Sequence, residues 1–542
     1  MVRLFSVLLS CLLCWQAFAV SPDKVVTSEL TQLVNQLPKA KLKSMPALLE
    51  KIAVLPSDKS KQILQNLLNG ELYYVKSTKK VVRAVKGENK QYQLTVILSG
   101  ESLLLEKSKI KKIRTNNRIR TAIRNHLARL ELTSANKATR IKAVEQILAK
   151  PSEDATQAIS TLVTQEQDPD VAELMNTVLY TQQLKSGTHQ EKLDAIEQLK
   201  DSLQPVVKNT MVRILESLPE KDRNEEEKQL ALALTKVVEK INSKRDLFEV
   251  IENIFFGLSL GSVLLLAAIG LAITFGVMGV INMAHGEMLM LGAYTTYVIQ
   301  LAFPNLIEYS LFMAIPAAFL VAGFVGVLIE RGVIRYLKGR PLETLLATFG
   351  ISLILQQLVR TIFSPLNRQV QAPEWMMGSW QINPVFSITY SRLYIILFSL
   401  AVFFTLLMIL KKSSLGLHVR AVSQNRDMAR ALSVKSDWVD AITFGLGSGI
   451  AGVAGVVLSQ LTNVGPNLGQ TYIIDSFLVV VFGGVGSLWG TLVAAMSLGS
   501  INKFLEPITG SVLASIIVLV GLVLFIQKRP KGLFPQKGRS VD

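Results

Sequence analysis

The sequence has 542 residues, of which 49% are hydrophobic, and it carries a formal net charge of +17 with a mean hydropathy of +0.36. That hydropathy is high for a fully soluble protein, and polar and apolar residues are separated along the chain. Residues 20–245 are lysine-rich and polar, whereas residues 253–527 consist mainly of long uncharged runs. The composition therefore predicts a mainly α-helical chain with a soluble domain followed by a membrane domain.

Residues 1–19 have the organisation of a secretory signal peptide. A basic residue, Arg3, precedes an apolar core that is too short to span a bilayer, and an A-x-A pattern ends at Ala19. We predict cleavage there, with an uncleaved anchor as the alternative. Both cysteines, Cys11 and Cys14, lie in this segment, so the mature protein would have neither disulfides nor thiolate metal ligands.

Residues 20–245 are predicted to form an exported, mostly helical domain. Apolar residues recur at spacings of three and four along most of it, which is typical of amphipathic helices. Residues 139–180 and 188–218 look like successive helical pairs that are similar to HEAT-type repeats. Residues 71–98 differ, because apolar and polar residues alternate on both sides of the KGENK turn at 86–90. That alternation predicts a small β-hairpin.

A strongly basic stretch occupies residues 107–129, with nine Lys and Arg residues and no acid. Nucleic acid would be a natural partner in a cytosolic protein, but a secretory signal argues against it. We expect a solvated basic face, and the alternative is docking onto anionic lipid or onto an acidic partner protein.

The membrane half contains eight hydrophobic segments, most of them long enough to span a bilayer at about 20 residues each. They cover about 254–277, 283–303, 309–333, 343–363, 393–410, 438–461, 473–499 and 511–527. The basic loops 331–340 and 411–437 and the basic tail after Ile526 are predicted to be cytoplasmic. The loop 364–391 has only one basic and one acidic residue and is predicted to be outside.

Eight full crossings conflict with an exported N-terminal domain and a cytoplasmic tail. One segment must therefore enter and leave on the same side. The best candidate is 473–499, which is interrupted by Gly483, Gly484, Gly486 and Gly490. Broken helices occur in membranes where they line a cavity or pack inside protein. We therefore predict seven crossings and one re-entrant pair of helices.

Asn282, His285 and Glu287 interrupt the apolar sequence GVINMAHGEMLMLGAY at 279–294. An ionisable group at mid-membrane costs about 2.5–3.5 kcal/mol on insertion scales, so it requires a partner or a cavity. These residues either cap the ends of broken helices and hold the fold together, or contact a solute by hydrogen bonds.

Glycine-rich sequences in the membrane half predict close helix packing rather than nucleotide binding. Five glycines fall between residues 445 and 455, and GGVGSLWG at 483–490 lacks the spacing of a dinucleotide fingerprint. The phosphate-binding pattern G-x-x-x-x-G-K-[ST] does not occur in the sequence, so this chain does not bind ATP through that motif.

Three stretches together resemble the branched-chain-amino-acid-type ABC permease family. They are GLAITFGVMGVINMAHGEMLMLGAY (270–294), SSLGLHVRAVSQNRDMARALSVKSDWVDAITFGLGSGIAGVAGVVLS (413–459) and FGGVGSLWGTLVAA (482–495), and RPKGLFP (529–535) also fits. Residues 113–148, 374–383 and 471–490 further resemble the urea-type branch of that family.

The resemblance implies one permease subunit of a urea importer in the cell inner membrane. Its partners would be a second permease subunit, two ATPase subunits that bind ATP, and a periplasmic substrate-binding protein. The chain itself would carry no cofactor and no metal, and it would not be an enzyme. Alternatives are a permease for branched-chain amino acids, a membrane receptor or scaffold, and an ATP-independent urea channel.

In this family the basic loop 413–437 would couple the permease to the ATPase. A short helix from about Gln424 to Val434 would insert into a groove of that subunit, with small alanines for close seating and arginines for charge-assisted bonds. Ser433 stands where the family usually has glycine. The candidate coupling residues are Gly416, Arg420, Ala421, Asn425, Arg426, Ala429, Arg430, Ala431 and Ser433.

The resemblance also places NMAHGE at the first helix break, near the translocation path. Asn282, His285 and Glu287 are the path candidates there, together with Gly484 and Gly486 of the second break. Asn282 and His285 are suited to a neutral, polar solute because both donate and accept hydrogen bonds.

Overall fold

The computed structural model describes residues 22–42, 44–55, 58–86, 91–97, 100–219 and 224–534. The predicted signal peptide lies outside these residues. The chain divides into two compact units, Met1–Asn242 and Ser243–Asp542. The predicted fold class is confirmed, because helices dominate both units and the only larger sheet of the described residues lies in the first.

The helices of the first unit, in chain order, are α1 Pro22–Gln36, α2 Met45–Val54, α3 Asp58–Asn69, α4 Asn117–Glu131, α5 Lys137–Ala149, α6 Glu153–Leu162, α7 Pro169–Ser186, α8 His189–Leu199 and α9 Pro205–Ser217. Apolar faces of neighbouring helices form separate small cores along the unit. Several helices begin at side-chain caps: Asn116 accepts from the Ile119 N–H, and Thr188 forms a capping box with Glu191.

The predicted hairpin is present and belongs to a larger sheet than the alternation alone indicated. The strands are β1 Leu72–Val75, β2 Val81–Lys86, β3 Gln91–Val96, β4 Ser102–Glu106 and β5 Ile110–Lys112, in the antiparallel order β4-β3-β2-β1-β5. The hairpin is β2 with β3, and Val82 lies opposite Val96. Side chains such as Val82, Leu94 and Ile110 form the apolar face of the sheet.

The second unit is a bundle of long apolar helices. Its elements are α10 Glu225–Met278, which begins in the first unit, α11 His285–Ala302, α12 Ser310–Gly332, α13 Pro341–Phe363, β6 Ser379–Gln381, β7 Ser387–Thr389, α14 Tyr390–Lys412, α15 Ser414–Gln424, α16 Arg426–Ala431, α17 Ser436–Leu458, α18 Leu468–Gly483, α19 Leu488–Thr509 and α20 Ser511–Lys528. Six helices of the described chain are long and apolar enough to cross a membrane: Glu225–Met278, Pro304–Gly332, Pro341–Phe363, Tyr390–Lys412, Ser436–Leu458 and Ser511–Lys528. The apolar helix α18 is shorter, and the polar first turn of α11 lowers its hydropathy.

Helix α17 lies at the centre of this bundle. Its most apolar window is 89% buried, whereas that of α20 is only 11% buried. The burial depends on glycine, as the sequence predicted: a side chain on Gly447 would meet the backbone of Gly270 in α10, and one on Gly292 in α11 would meet the backbone of Gly452. Small residues let the helix backbones approach this closely, which is the main way helices associate within a bilayer.

The predicted break in segment 473–499 falls at residues 484–487, between α18 and α19. Gly484 has a φ of +100°, a backbone conformation that favours glycine. The carbonyl groups of Phe482 and Gly483 accept hydrogen bonds from the N–H groups of Leu533 (2.9 Å) and Phe534 (3.1 Å). The C-terminal tail therefore satisfies the polar groups at the end of α18.

The helix after the break is longer than predicted, since α19 continues to Thr509 rather than ending at 499. A re-entrant course for this pair, like the orientation of every segment, stays a prediction.

Substituting Gly452 with leucine should strongly destabilise the second unit. The leucine side chain would collide with Ala318 of α12, and overpacking of this kind costs about 1–3 kcal/mol or more. Gly521→Leu is the matched control, because a side chain at Gly521 of α20 meets nothing within 4 Å. Thermal unfolding in detergent should show a lower midpoint for Gly452→Leu only, and an equal loss in both variants would contradict the packing assignment.

Candidate functional site

The first candidate site is the short non-helical connection between α10 and α11. Helix α10 ends at Met278, Gly279 has a φ of +68°, and α11 starts at His285. The Oδ1 atom of Asn282 accepts a hydrogen bond from the Ala284 N–H at 3.0 Å and so shapes the turn that leads into α11. Asn282 is buried although it lies outside a helix.

His285 joins the start of α11 to the preceding helix. Its Nε2 atom lies 2.9 Å from the carbonyl oxygen of Ala267 in α10, and the side chain is fully buried. Because the carbonyl can only accept, Nε2 carries the hydrogen and Nδ1 is the acceptor. This geometry supports the structural role that the sequence left open for His285.

Glu287 faces a different neighbour, helix α13. Its Oε1 atom accepts hydrogen bonds from Ser352 Oγ at 2.9 Å and from Gln356 Nε2 at 2.7 Å, and all three side chains are buried. One turn earlier, Thr348 Oγ1 accepts from the N–H of Met283 at 3.2 Å. Helix α13 thus supplies most of the polar partners of the NMAHGE segment.

These partners belong to a row of polar side chains, which we call the α13 polar row. Its members are spaced four residues apart over about 24 Å, and since each step turns about 40° beyond a full turn, the row winds slowly around the helix. Thr344, Thr348, Ser352 and Gln356 are buried, and Arg360 ends the row by donating to Asn467 Oδ1 at 2.7 Å. The sequence interpretation treated α13 as a plain span, although the spacing was visible.

Four buried polar atoms around the start of α11 have no hydrogen-bond partner among the described residues. They are Asn282 Nδ2, His285 Nδ1, Glu287 Oε2 and Tyr294 Oη. A buried polar atom without a partner costs about 1–3 kcal/mol, so such atoms normally bind water or a ligand. These atoms do not face one neighbour, because His285 contacts α10 and Glu287 contacts α13.

The two other path candidates, Gly484 and Gly486, do not belong to this cluster. Gly484 packs against the backbone of Phe534, and Gly486 packs against Gly276 of α10. Gly276 lies nine residues beyond Ala267, the partner of His285, which is about 13 Å along the helix axis. Gly484 therefore serves the contact of the second break with the tail, and Gly486 serves its contact with α10.

The second candidate site is the basic loop, which forms two short helices, α15 and α16. Ser413 caps α15 by accepting from the Gly416 N–H at 3.2 Å, and a side chain on Gly416 would collide with the backbone of Leu410. Arg420 donates a hydrogen bond to the Leu410 carbonyl. Gly416 and Arg420 thus fix the turn between α14 and α15, and Ala421 lies half-buried on α15.

Arg426 forms an ion pair inside the chain. Its guanidinium donates to both carboxylate oxygens of Asp440, at 2.6 and 3.1 Å, and Asp440 is fully buried at the start of α17. Lys338, in the connection between α12 and α13, binds the same carboxylate at 2.7 Å. Arg430 donates to Ser436 Oγ at 2.7 Å. All three arginines, Arg420, Arg426 and Arg430, bind groups of this chain, and their expected bonds to a partner subunit stay a prediction.

Helix α16 exposes a small apolar surface. Ala429 is buried, whereas Ala431 is exposed beside Met428 and Leu432, whose exposed fractions are 60% and 74%. The sequence interpretation named the alanines and missed these two larger residues. Their spacing of four residues, which places both on one face of a short helix, was the available signal. Asn425 caps the helix by accepting from the Met428 N–H at 2.9 Å.

Ser433 ends α16 in the left-handed backbone conformation. Its φ is +65°, and the Val434 and Ser433 N–H groups donate to the carbonyls of Ala429 and Arg430, each at 3.0 Å. This is a Schellman-type helix end, in which glycine is favoured. The serine adopts the same turn and carries the strain of a left-handed residue, about 1 kcal/mol.

The helical bundle, its two helix breaks and the buried polar row define a polytopic membrane protein of the transport-permease class. A family model described as the permease component of branched-chain amino acid transport systems matches residues 253–527, just over half of the chain. The chain belongs to this family. It is a multi-pass protein of the inner membrane and a transport component rather than an enzyme.

Individual relatives give the same result. The chain is 30% identical to the high-affinity branched-chain amino acid transport system permease protein BraD of Pseudomonas aeruginosa, over 53% of this chain and 96% of that protein. It is 29% identical to LivH of Escherichia coli K12, over 52% and 94%, and 24% identical to the ribose import permease protein RbsC of the same organism, over 55% and 91%. No solved structure matches the chain significantly.

Replacing Gln356 by leucine should weaken the Glu287 site. The substitution removes the 2.7 Å hydrogen bond and leaves the buried carboxylate with Ser352 alone, which should cost about 1–3 kcal/mol. Gln357→Leu is the control, since Gln357 is the next residue of α13 and is exposed. We expect a lower unfolding midpoint and slower solute uptake for Gln356→Leu. Equal behaviour of both variants would refute the assignment.

Replacing Arg426 by glutamine should uncouple the basic loop from α17. Breaking a buried pair costs up to about 3–5 kcal/mol, and less here because Arg426 is partly exposed and Lys338 still contacts Asp440. We expect the rate of solute transport to fall at least about tenfold, which corresponds to about 1.4 kcal/mol. The variant should still insert into the membrane. Lys435→Gln removes an exposed charge of the same loop and should transport normally; a similar loss there would show that loop charge alone matters.

Proposed function

We propose that this chain is a permease subunit of an ATP-driven ABC importer and forms half of a solute path. Its partners would be a second, homologous permease subunit, two ATPase subunits that bind ATP, and a substrate-binding protein. The observation that carries the proposal is the buried Glu287, which the α13 polar row binds through Ser352 and Gln356, within a family of import permeases.

The α13 polar row is suited to guide a polar solute through an apolar bundle. It extends over about 24 Å, close to the thickness of the hydrocarbon core of a bilayer. Arg360 and Asn467 stand at one end, and Glu287 binds its middle part. A solute that exchanges hydrogen bonds from one member to the next would avoid full desolvation in the membrane.

Branched-chain amino acids are the substrates that the relatives favour, since BraD and LivH are permeases of such systems. The site has complementary groups for a zwitterion. The free Oε2 atom of Glu287 can accept from an ammonium group, and Asn282 Nδ2 can donate to a carboxylate. Buried Met288 and Leu289 supply apolar surface next to them.

Urea is the second candidate. It is favoured by the resemblance of residues 113–148, 374–383 and 471–490 to the urea-type branch, and by the similarity to a ribose permease, whose solute is uncharged. The amide and hydroxyl groups of Asn282, Ser352, Gln356 and Tyr294 match a neutral solute that is rich in hydrogen bonds.

The exposed surface of α16 is the proposed contact with the ATPase. Met428, Ala431 and Leu432 present apolar groups, and the pair between Arg426 and Asp440 would pass a movement of α16 on to α17. This contact requires the loop 411–437 and the tail after Ile526 to be cytoplasmic. The region 20–245 would then be periplasmic after removal of the signal peptide, where it would dock the substrate-binding protein.

Uptake of labelled leucine and labelled urea tests the proposal in cells that carry the chain with its companion subunits. Ala431→Glu places a charge on the exposed face of α16 and should reduce ATP-dependent uptake at least about tenfold, a loss of 1.4 kcal/mol. Gln424→Glu adds the same charge to an exposed position outside that face and should have little effect.

The solute that is taken up decides between the two candidates. Leucine uptake that is lost in Ala431→Glu supports the amino acid importer, and urea uptake with the same loss supports the urea importer. Uptake that is indifferent to Ala431→Glu and to ATP would point to a channel and refute the coupling surface.

A further inference from the structure

The sheet of the first unit has a lysine-rich edge. Strand β5 is the last strand in the sheet order and pairs only with β1, so its other side is open. Seven lysines lie on β5, on the short turn before it, and on the β1–β2 turn. We call them the lysine edge: Lys76, Lys79, Lys80, Lys107, Lys109, Lys111 and Lys112.

Backbone pairing brings these two parts of the sequence together. The Lys76 N–H donates to the Lys109 carbonyl at 3.0 Å, and Lys76 Nζ donates to the Ser108 carbonyl at 2.6 Å. In the ladder of β1 with β5, Tyr74 lies opposite Lys111 and Tyr73 opposite Lys112. The β1–β2 turn and the β5 segment therefore form one continuous surface.

The positive charge of this surface is not neutralised within the described part of the chain. All seven lysines are exposed, and none forms an ion pair with a described carboxylate. The neighbouring acid is Glu106, which accepts from Ser108 Oγ at 3.3 Å. On α4, which follows β5, the exposed side chains of Arg118, Arg120 and Arg124 add further charge.

The composition of the lysine edge distinguishes between kinds of anionic partner. Protein interfaces are enriched in aromatic residues and arginine and depleted of lysine. The edge itself shows the reverse, because its basic residues are all lysines and no large hydrophobic side chain is strongly exposed between residues 76 and 80 or between 107 and 112. Hydrated ammonium groups on flexible stems suit a layer of mobile phosphates better than a fixed set of carboxylates.

One residue of the lysine edge has an unfavourable backbone conformation. Lys79 has a φ of +56° in the β1–β2 turn, where glycine or asparagine would be less strained. The turn thus holds a lysine at a position where the backbone alone would favour another residue.

We propose that the lysine edge binds the anionic phospholipid headgroups of the bilayer that the same chain spans. A lipid surface is present at every molecule, so no additional protein is needed. Attraction to such a surface is electrostatic and falls off within a Debye length, so it should be sensitive to salt. The proposal does not depend on which solute the permease carries.

The test uses the full chain in liposomes with a single cysteine label, in a background of Cys11→Ser and Cys14→Ser. An environment-sensitive fluorophore is placed at Lys111→Cys on the edge and, in a matched sample, at Lys142→Cys, an exposed lysine of α5. A quencher is attached to lipid headgroups. Liposomes contain either phosphatidylcholine alone or phosphatidylcholine with phosphatidylglycerol.

We expect phosphatidylglycerol to increase quenching at position 111 by roughly threefold or more at low salt, and high salt to remove the increase. Quenching at position 142 should change little when phosphatidylglycerol is added. Quenching at 111 that does not depend on phosphatidylglycerol, or an equal increase at both positions, would overturn the proposal. Protection of position 111 by an added acidic protein but not by anionic lipid would also overturn it.

Charge variants separate a lipid contact from a general change of fold. Lys79→Glu combined with Lys109→Glu should abolish the lipid-dependent quenching, whereas Lys79→Arg combined with Lys109→Arg should keep it. If the glutamate variant fails to fold, the arginine variant and the salt series still test whether the lysine edge binds lipid through its charge. Loss of quenching in the arginine variant with an intact fold would contradict a binding mode based on charge.

Discussion

The membrane unit depends on one constraint: a bilayer offers no water to backbone polar groups, so every helix break must find its hydrogen bonds inside the protein. Both breaks obey it, with different donors and acceptors. At the first, Asn282 binds the Ala284 N–H, and Thr348 binds the Met283 N–H. At the second, the tail donates to the free carbonyls at the end of α18. Residues 533 and 534 of the tail thus have a structural role at this break.

Satisfying the first break also creates the candidate site. Once α13 supplies Thr348 to the backbone, the four-residue spacing of its polar row places Ser352 and Gln356 against Glu287. Glu287, which these side chains bind through Oε1, also carries a buried atom without a partner among the described residues, Oε2. The structural role, one of the two alternatives that the sequence presents, therefore belongs to Oε1 of Glu287, and the proposed solute contact would use Oε2.

The sequence predicted those features of the fold that depend on local periodicity and composition. The hydrophobic segments, the β2–β3 hairpin and the break at Gly484 are of this kind, and so is the glycine packing of α17. Contacts between distant segments were not predictable. The pairing of Arg426 with Asp440 depends on how α16 folds back on α17, and the three other strands of the sheet are too short or too irregular to show alternation.

The two candidate sites are connected through α17. Asp440, near its start, holds Arg426 of the basic loop, while Gly452 and Gly455, near its end, pack against α11. Fifteen residues separate Asp440 from Gly455, about 22 Å of one helix. These glycine contacts are backbone to backbone, so α17 and α11 pack without intervening side chains. A continuous series of packed residues thus joins Asp440, which binds the basic loop, to Leu289, two residues after Glu287.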